Sequence, residues 1–236
     1  MALPKLNTNK YELELPSTGE TVEYRPFLVK EQKVLMIAQE SDDMTMIQKA
    51  IADTIETCTF GKVDPWSIPS FDLEFLFINI RGKSIGEQID LQVTCPDDGE
   101  TVVPVKIELE SIKVVEHDDH IPIIALTDEI DMYMGYPTMK DISSIQGGDT
   151  NDTEQLFNMI KTCIQRIHHG EEIHQKVDIT DKDLTEFIDS MSTQNLNDIN
   201  DFFTTMPKLE HKVKVKNPNT EVESEVTLSG FDDFFV

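Results

Sequence analysis

Cysteine is scarce in this chain: Cys58, Cys95 and Cys163 are all there is among 236 residues. An odd number at unpaired spacings supplies no disulfide framework and suits a reducing compartment. Long apolar runs are missing too. None approaches the roughly 20 residues that cross a bilayer, and the N-terminal MALPKLNTNK has no apolar signal core. A cytosol-like site of synthesis is therefore expected. Basic residues are few, 20 against 45 acidic, for a formal net charge of −25. That deficit argues against direct binding to nucleic acid, because each phosphate contact needs a Lys or Arg, and equally against an anionic membrane. It fits a soluble protein whose partners carry basic surfaces.

Catalytic signatures are likewise lacking. RGKSIG, from Arg81 to Gly86, has a lysine and a serine but not the upstream glycine of a phosphate-binding loop, and it follows a helical pattern rather than a strand. The cluster His168, His169, Gly170, Glu171, Glu172, Ile173, His174 has ligand types without the helical i, i+4 spacing of a zinc protease. A metal hydrolase built on those histidines is the rival it leaves open. His117 and His120 flank two aspartates in an expected linker. No nucleophile and base can be placed together. The sequence predicts neither an enzyme nor a cofactor.

What is present is a series of amphipathic segments. Tyr11–Leu15 alternates as a half-buried strand, Pro16–Gly19 turns, and Thr21–Phe27 returns. VKEQKVLMIAQ reads as a helix with Val34, Ile37 and Ala38 turned inward. Ser41 and two aspartates open the next helix, where Ile47, Ile51, Ile55 and Cys58 share one face and Gly61 ends it. Ser70 is expected to cap a third helix. Its Phe71, Leu73, Phe75, Leu76, Phe77, Ile78 and Ile80 leave almost no polar side, the mark of a helix buried between layers. Gly82 and Gly86 are expected to release the chain from it.

The second half repeats this order. Leu126–Pro137 spans the same length as Leu15–Pro26. A helix expected over Thr153–His169 carries Leu156, Ile160, Ile164 and Ile167, each 109 positions after Ile47, Ile51, Ile55 and Cys58. VKNPNTEVE near the end resembles VTCPDDGETV, both being hairpin tips with proline second. An extra helix, Thr193–Met206, is inserted in the second half with Leu196, Ile199, Phe202 and Phe203 on its apolar side. The expected fold is α+β, an internally duplicated unit of opening β-hairpin, helical body and closing β-hairpin, degenerate zinc-ribbon-like. Residues 1–116 would form the first repeat and 117–236 the second.

Cys95-Pro96 is half of a CPxxC zinc knuckle. Its second position is Asp98, and the matching tip offers Asn217 and Thr220, so ordinary turn chemistry explains it better than metal. Two features read as contact surfaces. Lys212, Lys214 and Lys216 alternate with valines along one strand, where lysines also guard an edge. Phe231, Phe234 and Phe235 in the closing GFDDFFV are aromatic anchors for a core or a partner.

EYRPFLVKEQKVLMIAQE (Glu23–Glu40) and FDLEFLFINIRGKSIGE (Phe71–Glu87) resemble the two signature blocks of the T4-type bacteriophage baseplate hub assembly protein family. YPTMKDI and GFDDFF are similar to its later blocks. The resemblance implies a non-enzymatic assembly factor or structural component of the tail baseplate hub in contractile-tailed phages. It implies partners among baseplate or hub proteins, and residence in the host cytoplasm during assembly or in the virion tail baseplate. The polar members of the matched blocks become contact candidates: Arg25, Lys30, Glu31, Arg81, Lys83, Ser84 and Glu87. Many relatives carry CxxC where this chain keeps only Cys95. The alternative reading is a zinc-ribbon-derived regulatory or nucleic-acid-associated protein that has lost its metal.

Overall fold

A computed structural model describes residues 7–41, 43–146 and 151–230. The fold is mixed α+β, with seven α-helices and several small antiparallel sheets among those residues. Strands β1 (Tyr11–Glu14) and β2 (Thr21–Tyr24) pair with Leu13 opposite Val22, and the turn closes where the Gly19 N–H donates to the Leu15 carbonyl at 2.8 Å. Helix α1 (Val29–Glu40) and helix α2 (Met44–Cys58) pack on each other. The Asp43 carboxylate accepts from the N–H groups of Thr45 and Met46, satisfying two of the orphan donors at the start of α2. Ala50, Ile51, Ile55 and Cys58 fill its buried face.

Helix α3 (Ser70–Ile85) buries Phe71, Leu73, Leu76, Phe77, Ile78 and Ile80. Its cap residue is Pro69, so Ser70 stands inside the first turn rather than capping it. Gly82 does not release the chain either. It stays helical, where an added Cβ would lie 3.2 Å from Leu109 Cδ1, so the small residue permits a close approach. Gly86, at φ 122°, makes the exit. Strands β3 (Gln88–Thr94) and β4 (Val102–Glu108) then form a hairpin, and β5 (Lys113–Val115) follows a short 3-10 turn.

The chain next builds β6 (Ile123–Ala125), β7 (Ile130–Met134), α4 (Met139–Gln146), α5 (Asp152–Cys163), β8 (Ile164–His169), β9 (Glu172–Gln175), α6 (Asp181–Asp189) and α7 (Thr193–Thr205). The four strands make one sheet in the order β6-β7-β8-β9. Ile124, Met132 and Ile167 lie on its core side with Ile160, Leu184, Ile188, Ile199 and Phe202 from the helices. The helix expected over Thr153–His169 stops at Cys163. Ile164–His169 is strand, because its β-branched and imidazole side chains pair with β7 and Gly170, at φ 59°, turns the chain back into β9. Ile164 and Ile167 thus meet their core from a sheet, whereas Ile55 and Cys58 meet theirs from a helix. The correspondence between the halves breaks at that point.

Finally β10 (Lys208–Lys216) and β11 (Glu223–Ser229) form a second long hairpin, and β10 also pairs with β5, Leu209 opposite Val114. Two compact units result: Met1–Val115 with Lys208–Val236, and Glu116–Pro207. This differs from the consecutive repeats expected over 1–116 and 117–236. The closing hairpin belongs with the first unit because its strand completes that unit's sheet and its Val213, Val215 and Leu228 share a core with Ile78, Ile89 and Ile107.

Candidate functional site

The tips of the two long hairpins, β3–β4 and β10–β11, share an inner turn and differ by one residue in the bond that closes them. At the first, the Cys95 N–H donates to the Thr101 carbonyl at 2.7 Å and the Gly99 N–H to the Cys95 carbonyl at 3.0 Å. At the second, Asn217 and Glu221 take the places of Cys95 and Gly99, with bonds of 3.0 Å to the Val222 carbonyl and 2.9 Å to the Asn217 carbonyl. Gly99 sits at φ 68° and Glu221 at φ 61°, the left-handed geometry that both turns require. Cys95 and Asn217 are both buried at the tip bases.

A metal knuckle would take ligands at Cys95, Asp98, Asn217 and Thr220. Hydrogen bonds join these tips instead. The Asn217 Nδ2 donates to Asp98 Oδ2 at 2.8 Å and reaches both Asp97 carboxylate oxygens at 3.1 Å. Thr220 donates its hydroxyl to Asp97, and Asn219 Nδ2 donates to Thr101 Oγ1 at 2.9 Å. Asn217 Oδ1 turns back to accept from the Asn219 N–H at 2.8 Å. Hydrogen bonds from the Thr101 hydroxyl and N–H, with those from Asn217 and the Glu100 N–H, hold the Asp98 carboxyl well below the usual carboxylate range. Bonds from Thr220 and Asn217 lower Asp97 in the same way. Burial, with these two carboxylates nearby, pushes the Cys95 thiol up. Among the described residues no group of three His, Cys, Asp or Glu side chains is arranged to hold a metal. The tips form a hydrogen-bonded clasp.

The two family-like blocks meet at a second place in the same unit. Ser84, near the end of α3, donates to the Ile80 carbonyl and accepts from the Phe27 N–H at 2.9 Å, just ahead of α1. Arg25 and Glu31 form a buried ion pair at 2.8 Å. Arg25 also donates to the Pro26 carbonyl, and the other Glu31 oxygen accepts from the Leu28 N–H at the start of α1. Burial would raise the Glu31 carboxyl, but the bonds from Arg25, Leu28 and Lys30 outweigh it and the group is lowered. Lys30 reaches Glu31 at 3.1 Å and is otherwise exposed. Lys83 pairs with Glu87 at 2.8 Å and lies 5.9 Å over the Tyr11 ring. Arg81 is largely enclosed, and its Nη1 has no hydrogen-bond partner. Burial alone lowers its pKa.

The lysine ridge faces solvent on β10, with Lys214 and Lys216 opposite Glu225 and Glu223 on β11 and Lys212 at 3.9 Å from Glu225. Beyond Glu210 this strand has β11 on one side and, among the described residues, no ladder to β5 on the other. Phe231, Phe234 and Phe235 lie outside the described residues. The linker reading of His120 misses its role. In the second unit its Nδ1 is 3.0 Å from Thr205 Oγ1, its Nε2 is 3.0 Å from the Tyr136 hydroxyl, and its ring lies 5.1 Å from Phe202. Burial lowers its pKa. Val34 and Ile37, expected to face inward, are about half exposed, and Leu28, Val29, Met36, Met44 and Met46 are exposed with them. On α1 only Glu31 and Ala38 are buried. Among the described residues no helix is long and apolar enough to cross a membrane.

The fold is thus mixed α+β, with the two hairpin tips joined by side-chain hydrogen bonds and most of α1 open to solvent. A family model described as T4 bacteriophage base plate protein matches residues 8–236, nearly the whole chain, and the protein belongs to that family. No curated protein and no solved structure matches it.

Proposed function

We propose that the protein is a non-enzymatic component or assembly factor of the baseplate hub in a contractile phage tail, acting through contacts with other baseplate proteins. The match to the baseplate family over residues 8–236 carries this reading. The exposed apolar side chains of α1 and the first turn of α2 support it, since partner surfaces gather such residues. The acidic chain suits partners with basic surfaces and neither nucleic acid nor membrane. Lys30, Lys83, Glu87 and the β10 lysines are the expected contact residues that remain open to a partner. Arg25, Glu31 and Ser84 act by fixing the start of α1 against the end of α3. We read the clasp as a degenerate zinc ribbon and the two hairpins as copies within a duplicated ancestor. The test is affinity capture of the tagged protein from infected cells, with mass spectrometry of purified particles beside it. Recovery of hub or tail proteins is expected; capture of none of them would overturn the proposal.

A further inference from the structure

The sheet β6-β7-β8-β9 turns one face to its own core. Alternation places two rows on the other face: Ile123, Tyr133 and Arg166 in register, and beside them Asp131, His168 and Ile173. An antiparallel sheet with one solvated face ordinarily fills it with hydrated polar side chains. Here the Arg166 guanidinium carbon lies 4.1 Å from the Tyr133 ring centroid, and the Tyr133 and His168 ring centroids are 4.4 Å apart. Arg166 Nε and His168 Nε2 are buried, with no hydrogen-bond partner among the described residues. Ile123 is 41% and Ile173 56% exposed at either margin. In a chain with 45 acidic residues, Arg166 makes no ion pair with any described residue.

We infer that this face is a docking surface for a segment of another baseplate protein, which brings a carboxylate to the Arg166 guanidinium and apolar side chains onto Ile123 and Ile173. The inference rests on the baseplate reading above. Three observations select this occupant. A stacked arginine is held in place before binding, so little rotamer freedom is lost when it pairs. Tyr and Arg beside aliphatic side chains are the composition of interface hot spots. A second copy is disfavoured, because it would set a charge of −25 against another −25. This face offers an incoming acid the Arg166 guanidinium, whereas most of the molecule's acidic surface would repel it.

The experiment compares three full-length variants by quantitative capture of tail proteins from infected cells. Arg166→Glu and Lys182→Glu change net charge equally, and Lys182 is an exposed residue of α6 paired with Glu186. Arg166→Glu is expected to lower recovery at least about tenfold, the loss of one hot-spot contact, while Lys182→Glu stays within about twofold. Ile173→Glu, at a surface position, is the second probe should Arg166→Glu melt early, and it is expected to lower recovery likewise. A photocrosslinking amino acid at position 173 should join to a tail-protein peptide containing Asp or Glu. Equal recovery by Arg166→Glu and Lys182→Glu, undiminished recovery by Ile173→Glu, or crosslinks only to a second copy, would overturn the inference while leaving the baseplate reading intact. Failure of the wild-type protein to recover any tail protein would count against the baseplate reading itself.

Discussion

Asn217 is a neutral amide serving where a metal knuckle would place a ligand. It is fully buried, and its two amide hydrogens and one oxygen all find partners across or within the clasp. Asn217→Ala removes the bonds to Asp97, Asp98 and the Asn219 N–H and should cost about 1–3 kcal/mol, read as a lower midpoint in urea with an unchanged slope. His120 makes a different prediction. Its folded pKa lies below the unfolded value of about 6.5, so the unfolded chain binds the proton more readily. Its contribution is present above that value and is lost as pH falls through the folded one. His120→Gln should flatten the decline in melting temperature as pH falls below about 6.5; an unchanged pH profile would refute the assignment. Half of the clasp was legible in the sequence, since Cys95-Pro96 and Asn217-Pro218 announce matching turns. That Asp97 and Asp98 would supply the bonding was not, because the partners lie about 120 residues apart and only the assembled sheet brings them together.

At the scale of elements, periodicity served well where one face decides burial. Helix α2 and the inserted α7 appear within one or two residues of expectation, with Ile199 and Phe202 buried as the pattern demanded. It failed for IQRIHH, whose apolar residues at Ile164 and Ile167 suit a helix stripe as readily as a strand with a bulge. It failed again for α1, where Val34 and Ile37 mark no core. Gly82 shows why a glycine within RGKSIG misleads: its role is the close passage of Leu109, which no local pattern encodes. Gly82→Val puts branched carbon into that contact and should destabilise by about 1–3 kcal/mol, seen as a lower melting temperature. Equal stability would mean that Leu109 yields freely.

For the whole molecule, self-repulsion is the dominant electrostatic fact. With 45 acidic and 20 basic residues, the compact state gathers charge that the unfolded chain spreads out. Raising ionic strength from about 0.01 M to 0.15 M shortens the screening length from about 30 Å to 8 Å. The melting temperature should rise over that range; a fall would show that the ion pairs outweigh the repulsion.

The union of β10 with β5 also has a consequence in time. Glu116–Pro207 is continuous, so it can fold as soon as it leaves the ribosome, whereas the sheet begun by Lys113–Val115 waits for Lys208 and the residues after it. At about 5–20 residues per second, the nascent chain spends several seconds with Ile78, Ile89 and Ile107 lacking the strand that covers them. A chain truncated after Pro207 and released from the ribosome should therefore protect the later-made unit from protease and leave the earlier-made one open. Of the two units, the one begun earlier is completed later.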